Sequence, residues 1–525
     1  MKQIKKGKTM EFDYKTGRPL VRIGSLQSEK SIRFTSHAAF NMVDLSGTLI
    51  MAGKEGETYE VTIGKSRPAE IKPMIRLAIA YHNEEAGQQV KKWEKVGLNI
   101  QLLRVGENTQ ISKNETIDNR EYWVLASGFS SPEEAENQRR ELADFGSYRV
   151  FMIPEKPAEG SLILQRHEIQ SGFRLIPSED MPLPFTLHDV RVGIGFHWDH
   201  REDQQMENIL EFQIDKKGLI TVINVLDIEH YLASVNSSEM AADCSLEFLK
   251  AQTTVARCTV FATAGKHHYG DPFDLCADDH CQCFHGSGAI KSTSIQAAKE
   301  TEGEILWFDQ RICDTRYAKV CGGVGETHRN VWDDRHLPYL DQFYDGPDQR
   351  DLYEPINSED KIRPFIASSP DVFCNPARHK MPSYLDYTEQ YFRWQVIYSP
   401  EELGKIVAKK YDDIGPILDI LPLKRGYSGR LIYVKLVVEN GEATIGKELE
   451  IRRVLSESHL YSSCFYVDKE TDAGGKTIQL TLHGAGWGHG VGLCQVGAAV
   501  MGEEGYTDQQ ILKHYYAAAE LKKIY

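Results

Sequence analysis

YLASVNSSEMAADCSLEFLKAQTTVARCTVFA, residues 231–262, is the stretch whose reading decides the rest of the chain. Phe248, Ala251, Val255, Cys258 and Ala262 recur at spacings of three and four, which predicts a helix with one buried stripe after Ser245. Asp243 or Ser245 would cap its first turn. Glu239 is thereby expected in the turn just ahead of a helix N-terminus, where a carboxylate ordinarily complements the helix dipole.

Upstream, the texture is extended. SLILQRHEI (161–169), ILEFQID (209–215) and LITVINVLD (219–227) are strand-like runs, and EKPAEG (155–160) has the composition of a linker. Farther toward the N-terminus an internal repeat appears. Its copies are IRLAIAYHNEEAGQQVKKWEKVGLNIQLLRV (75–105) and EYWVLASGFSSPEEAENQRRELADFGSYRVFMI (121–153). Tyr81 aligns with Phe129, Ala86 with Ala135, Trp93 with Leu142, and Gly97 with Gly146. Each copy is strand, loop, helix, glycine, strand. Ala135, Leu142 and Phe145 keep helical spacing, and the glycines stand where helices terminate. Two such βαβ units are expected to form one sheet with both helices on one face. Short apolar runs between turn residues across 20–70 predict a small all-β segment.

The 525 residues are 41% apolar and 26% charged, an ordinary globular composition. With 61 basic against 76 acidic residues the net charge is −15, which argues against nucleic acid as the main partner and leaves a neutral polymer open. No apolar run approaches the ~18 residues of a membrane span. The basic start MKQIKKGKTMEFDYKTG is followed by no apolar stretch of a signal peptide.

All ten cysteines fall after residue 243. In HHYGDPFDLCADDHCQC (267–283), two Cys and two His can supply the donor set that tetrahedral zinc prefers. CGGVG (321–325) and GAGWGHGVG (484–492) lack the Lys-Ser/Thr of a P-loop, so their glycines are read as tight turns or close approaches. ILKHYY (511–516) is expected to be a closing helix.

The second repeat copy resembles the signature of a SPOR domain, a peptidoglycan-binding module of bacterial envelope proteins. The resemblance covers roughly 73–155 and implies a ligand of glycan stripped of stem peptides. The order YLASVNSSEM, LEFLKAQTTVAR, DLCADDHCQCFHG, YAKVCGGVGETHRNVW, GWGHGVGLCQVGAAVM and ILKHYY resembles the SpoIID/LytB family over roughly 185–525. Known members are lytic transglycosylases or stimulators of cell-wall amidases. The resemblance implies Glu239 as catalytic acid and base, and Tyr317, His489 and Gln495 as substrate-binding groups. It also implies a structural zinc at His268, Cys276, His280 and Cys281, with Cys283 as the alternative ligand. The family's usual proline after S-E-M is replaced by Ala241. The expected fold class is α+β, organised as an N-terminal β segment (1–72), an inserted SPOR-like, ferredoxin-like module (73–155) and a SpoIID-like mixed α/β catalytic domain (156–525). The implied setting is the cell envelope. The implied partners are peptidoglycan glycan strands and, in a non-catalytic enhancer role, a cell-wall amidase.

Overall fold

The computed structural model describes residues 11–525 except 14, 112–114, 143–147, 195–198, 241–243, 348–353, 412–413 and 440. Phe145, Gly146, Ala241 and Asp243 therefore lie outside the described residues. The chain is a mixture of helix and strand, as an α+β composition requires.

Two antiparallel sheets form the base. One runs Leu275–Cys276, Leu20–Glu29, Ile220–Asp227, Ile209–Ile214, Gly172–Pro177, Phe40–Asp44, Leu49–Gly53, with only the first pairing parallel. The other runs His167–Gln170, Glu159–Leu164, Thr58–Arg67, Ser31–Ser36, Phe185–Val192, His200–Met206. Phe34 of the second sheet lies 5.6 Å from Phe212 of the first, and Phe40 of the first lies 5.9 Å from Phe185 of the second. Those rings sit between the sheets, the inward half of an in–out alternation. The strands of 20–67 thus share both sheets with strands of 159–227 and have no sheet of their own.

The repeat occupies the excursion between them. Glu70–Ala80, helix α1 (Asn83–Glu94), Asn99–Val105, Glu121–Ser127, helix α2 (Pro132–Glu141) and Arg149–Lys156 follow one another. The sheet order is 149–156, 70–80, 121–127, 99–105, antiparallel throughout, which is the ferredoxin-like βαββαβ arrangement. Ala86 and Trp93 of α1 and Ala135 and Leu142, at and just past α2, are all buried in one layer with Ile75, Leu77 and Val124. The aligned repeat positions therefore do the same packing work on the same face. Ser131 caps α2 by accepting the Glu134 N–H, ahead of Pro132 at the first helical position. Gly97 closes α1 at φ +88°, a conformation that favours glycine. The EKPAEG stretch is a tight connection, because Lys156 still ends one strand and Glu159 begins the next.

Helix α3 (Ile228–Glu239) leaves the strand Ile220–Asp227 directly, with Asp227 accepting the Glu229 N–H as its cap. Glu239 is consequently the last residue of a helix rather than part of the turn before one. Periodicity hides this helix, because buried Ser234 and Asn236 interrupt its apolar face. The Asn236 side-chain amide donates to Leu249 O and to Thr253 Oγ1, so polarity there is internal glue. Helix α4 (Leu246–Thr263) follows, capped by Ser245, and then α5 (Ser292–Glu300). The closing helix Asp508–Tyr515 carries a capping box between Thr507 and Gln510 and packs on α4. Residues 393–485 build a second apolar core around Leu403, Leu436, Ile451 and Leu482.

One buried ion pair locks α3 to α4. The Arg257 guanidinium, wholly buried, makes two hydrogen bonds to the Glu229 carboxylate and a third, at 2.9 Å, to Glu304 O. Removing one member of such a pair strands the other in a medium that cannot solvate it, at a cost of ~3–5 kcal/mol. Arg257→Ala should therefore lower stability by about that amount in denaturant titration. The double change Arg257→Met with Glu229→Gln should recover most of the loss, since no unpaired charge then remains.

Candidate functional site

Glu239 is half-buried at the C-terminal end of α3. Its Oε1 accepts from the Tyr317 hydroxyl at 3.0 Å and from the Cys283 backbone N–H at 3.1 Å. Oε2 has no partner among the described residues. Burial and the neighbouring Glu239 push the Tyr317 hydroxyl well above its ordinary range, so it stays protonated and donates. Lys319 Nζ donates to the Glu239 carbonyl at 2.9 Å, satisfying one of the orphan acceptors of the helix end.

Tyr317 owes its position to a short parallel pairing of Tyr317–Ala318 with Leu493–Cys494. A bridge between Val320 and Trp487 extends the pairing. The blocks YAKVC and GWGHGVGLC are thus neighbours in space. Gly492 permits this: at φ +71° it lies so close to the Arg316 carbonyl oxygen that a Cβ would fall 2.0 Å away. His489 Nδ1 accepts the Val491 N–H at 3.0 Å, and its ring lies 4.7 Å from that of Trp332. Burial, with the charges of Arg316, Arg452 and Arg430, holds His489 well below its usual pKa. The ring is therefore neutral and, with Nδ1 accepting, carries its proton on Nε2. Gln495 is 1% exposed, and its Nε2 is without a partner among the described residues.

Glu239, Tyr317, His489 and Gln495 line one cleft of about 420 Å³, together with Trp332 and Trp487. The four residues singled out in the sequence for catalysis and substrate binding thus converge. The opposite wall is the helix-free face of the inserted sheet, which contributes Arg76, Trp123, Arg149 and Phe151. Arg76 stacks over Trp123 and Phe151 at 5.0 and 4.6 Å. The guanidinium groups of Arg76 and Arg149 are neither hydrogen-bonded nor ion-paired to any described residue. Desolvation pulls the Arg76 guanidinium down to about 10 and lowers Arg149 as well, although Arg149 is open to the cleft by surface area. A deep cleft reconciles the two, because protein surrounds a group that water can still touch. The insertion is tied to the floor by the Lys266–Glu121 ion pair at 3.1 Å and by the Asn119 amide on Phe261 O at 2.7 Å. A second carboxylate, Asp279, lines the same cleft, and burial and the adjacent Glu239 push it up to about 6.

Beside the cleft, His268, Cys276, His280 and Cys281 each offer a ligand atom within 4.8 Å of the others. Cys281 Sγ lies 3.3 Å from His268 Nε2 and 3.6 Å from His280 Nδ1, and Cys276 Sγ lies 3.9 Å from His280 Nδ1. A tetrahedral zinc with ordinary bond lengths has sulfur–nitrogen edges of about 3.6 Å, so the set fits. Asp271 holds the other nitrogen of His268 at 3.2 Å, as second carboxylates do behind metal-bound imidazoles. The Cys283 thiol faces Asp279 at 3.6 Å and is not in the cluster. Adjacent His280 and Cys281 do both reach it, so no substitute is needed.

Sequence reasoning passed over Lys319, Trp332, Arg316 and the arginines of the opposite wall. Lys319 had a signal, standing two residues from Tyr317 on the same side of an extended segment. The arginines had none, because which sheet face meets the cleft is a property of docking.

Residues 216–308 match the family model described as stage II sporulation protein, and 326–492 match a domain of unknown function, DUF8618. An uncharacterized protein of Brachyspira hyodysenteriae is 25% identical over 300 residues, 57% of this chain and 68% of its own. The amidase enhancer of Bacillus subtilis is 24% identical over 303 residues, 55% of this chain and 40% of its own. Stage II sporulation protein D of Bacillus amyloliquefaciens is 23% identical over 352 residues, 64% of this chain and 85% of its own. The S-E-M helix end, the paired motif strands and these matches together support the SpoIID/LytB family for this chain.

Proposed function

We propose that the protein cleaves peptidoglycan glycan strands as a lytic transglycosylase, with Glu239 as the acid and then the base. The observation that carries this reading is the Glu239 carboxyl group, held at one oxygen by Tyr317 and the Cys283 N–H and unpartnered at the other, inside a cleft. Protonated Glu239 gives its proton to the glycosidic oxygen as the C–O bond breaks. The resulting carboxylate takes the proton of the sugar's own hydroxyl as that oxygen closes the anhydro ring. No water is consumed, so one carboxyl group suffices where ordinary glycosidases need two. Tyr317 and Cys283 N–H donate to the anion formed in the first half. His489 and Gln495 line the cleft as substrate-binding groups, and Trp332 and Trp487 offer apolar faces.

The relatives' names, stage II sporulation protein D and amidase enhancer, support a cell-wall role of the sporulation type outside the cytoplasm. No helix among the described residues is long and apolar enough to cross a membrane. Residues 73–155 serve as the SPOR-like glycan-binding part. Strands without stem peptides expose a lactyl carboxylate on alternate sugars, and Arg76 and Arg149 are the cations in the wall that such carboxylates would meet. A structural zinc at His268, Cys276, His280 and Cys281 would keep the 267–283 loop in the shape that presents Cys283 N–H to Glu239. The second reading, a non-catalytic glycan-binding enhancer of a cell-wall amidase, is favoured by the similarity to the amidase enhancer.

Glu239→Gln keeps size and most hydrogen bonding, so release of anhydro-ended fragments, followed by mass spectrometry, should fall toward the upper end of the ~10²–10⁴-fold range for lost acid–base help. Glycan binding should persist. Hydrolysed rather than anhydro ends, abolished equally by Asp279→Asn, would mean a two-carboxylate hydrolase. No release by the parent together with stimulation of an amidase would mean the enhancer role.

Cys276→Ser should lower both zinc content and thermal stability, because metal-binding energy at such a site is folding energy. Metal analysis and a melting curve check this together.

Binding of denuded glycan should weaken with added salt, and the dependence should diminish in the Arg76→Gln, Arg149→Gln double variant. A chitin-type polymer without carboxylates should show neither effect.

A further inference from the structure

Cys321, Asp345, Cys374 and Cys494 meet in the interior, away from the 267–281 cluster, and all four are buried. Their ligand atoms lie within 4.8 Å of one another. Cys321 Sγ is 3.6 Å from Cys374 Sγ and 3.2 Å from Asp345 Oδ2. A tetrahedral zinc with Zn–S of ~2.3 Å has sulfur–sulfur edges of about 3.8 Å and sulfur–oxygen edges near 3.5 Å. A disulfide would need the two sulfurs at ~2.05 Å, and all ten cysteines are free thiols.

Three further observations point the same way. Backbone N–H groups donate to the sulfurs: Cys321 N at 3.2 Å and Gly497 N at 3.4 Å to Cys494 Sγ, and Gly323 N at 3.4 Å to Cys321 Sγ. Such bonds stabilise sulfur as thiolate, the form that binds metal. Cys494 also caps the helix Gln495–Glu503, where the helix dipole favours an anion. Asp345 is wholly buried, and the basic group facing it among the described residues is His514, whose Nε2 lies 3.6 Å from Oδ1. Its other oxygen accepts from Tyr515 Oη at 2.7 Å, which fixes the carboxylate from behind. One histidine cannot balance a buried carboxylate together with three sulfurs held as thiolates, and a divalent ion would supply the remaining positive charge.

We infer that Cys321, Asp345, Cys374 and Cys494 form a second, structural zinc site that joins the YAKVC and GLC segments beneath the cleft. All four ligand positions come from protein, so no position is open to water. Cys321 follows Tyr317 by four residues and Cys494 precedes Gln495. The ion thereby staples the two strands that carry substrate-binding groups to the loops holding Asp345 and Cys374. The inference stands on its own residues and does not depend on the proposed activity.

Metal analysis of the full chain, purified without added metal, should find about two zinc ions when both clusters are filled. Cys374→Ser should remove about one of them and leave the one that Cys276→Ser removes. Cobalt substitution should give thiolate charge-transfer absorption that declines in each variant. If zinc content is unchanged in Cys374→Ser, or if peptide mapping finds Cys321 joined to Cys374 as a disulfide, the second site is overturned while the first is untouched. Should Cys374→Ser fail to fold, the parent decides. About two zinc ions, one of which persists in Cys276→Ser, uphold the site, and none persisting there overturns it.

Discussion

The site depends on a charge pair that never touches it. Glu229 begins α3 and Arg257 lies inside α4, and their buried contact fixes the rotation and height of one helix against the other. Glu239, almost three turns further along, inherits that position. The same carboxylate receives Tyr525 Oη, so the chain's last residue is drawn into the arrangement. Because the guanidinium also binds the Glu304 carbonyl, the strand that pairs with Glu520–Lys523 is set by the same group. Precision at the carboxyl group thus comes from desolvated polarity far behind it, in a core where an apolar substitute would pack but would not orient.

Much of this was legible in the sequence, for reasons that differ by region. The aligned pairs Ala86/Ala135 and Trp93/Leu142 announced a repeated unit, and they occupy equivalent places under the same sheet. The stripe from Phe248 to Ala262 gave α4, since an amphipathic helix advertises itself by period. Helix α3 was not legible. It is buried nearly all round and carries Ser234 and Asn236 inward, so no period survives, and Glu239 was expected on the wrong side of a helix terminus. The convergence of Tyr317, His489 and Gln495 followed from family likeness, and a strand pairing of two residues brings it about. No local pattern could reveal that pairing, because it joins positions about 175 residues apart.

The inserted sheet changes how substrate affinity and chemistry relate. A binding module on a flexible tether raises the local concentration of substrate without shaping the transition state. Here the module's open face is itself a wall of the cleft, with Trp123, Phe151 and two unpaired arginines opposite Glu239. Ion pairs and hydrogen bonds from Glu121 and Asn119 hold that wall against α4 and the residues following it. Under the proposed function, binding and positioning would be one event, because a sugar held by that wall would be oriented toward the carboxyl group at the same time.

The way the module is spliced in has a consequence for the architecture's history. It leaves the six-stranded sheet after Arg67 and returns at Glu159, and those two residues are register partners in adjacent antiparallel strands. Without the excursion, Thr58–Arg67 and Glu159–Leu164 would be the two arms of an ordinary β-hairpin. The sheet holds the ends together whatever lies between them, so closing the longer connection costs only an entropy that grows logarithmically with length. A hairpin loop is therefore a point where whole folding units can be gained or shed while every strand keeps its neighbours. Two proteins with the same floor and the same helix α3 could differ by an entire wall of the cleft and still fold by the same rules.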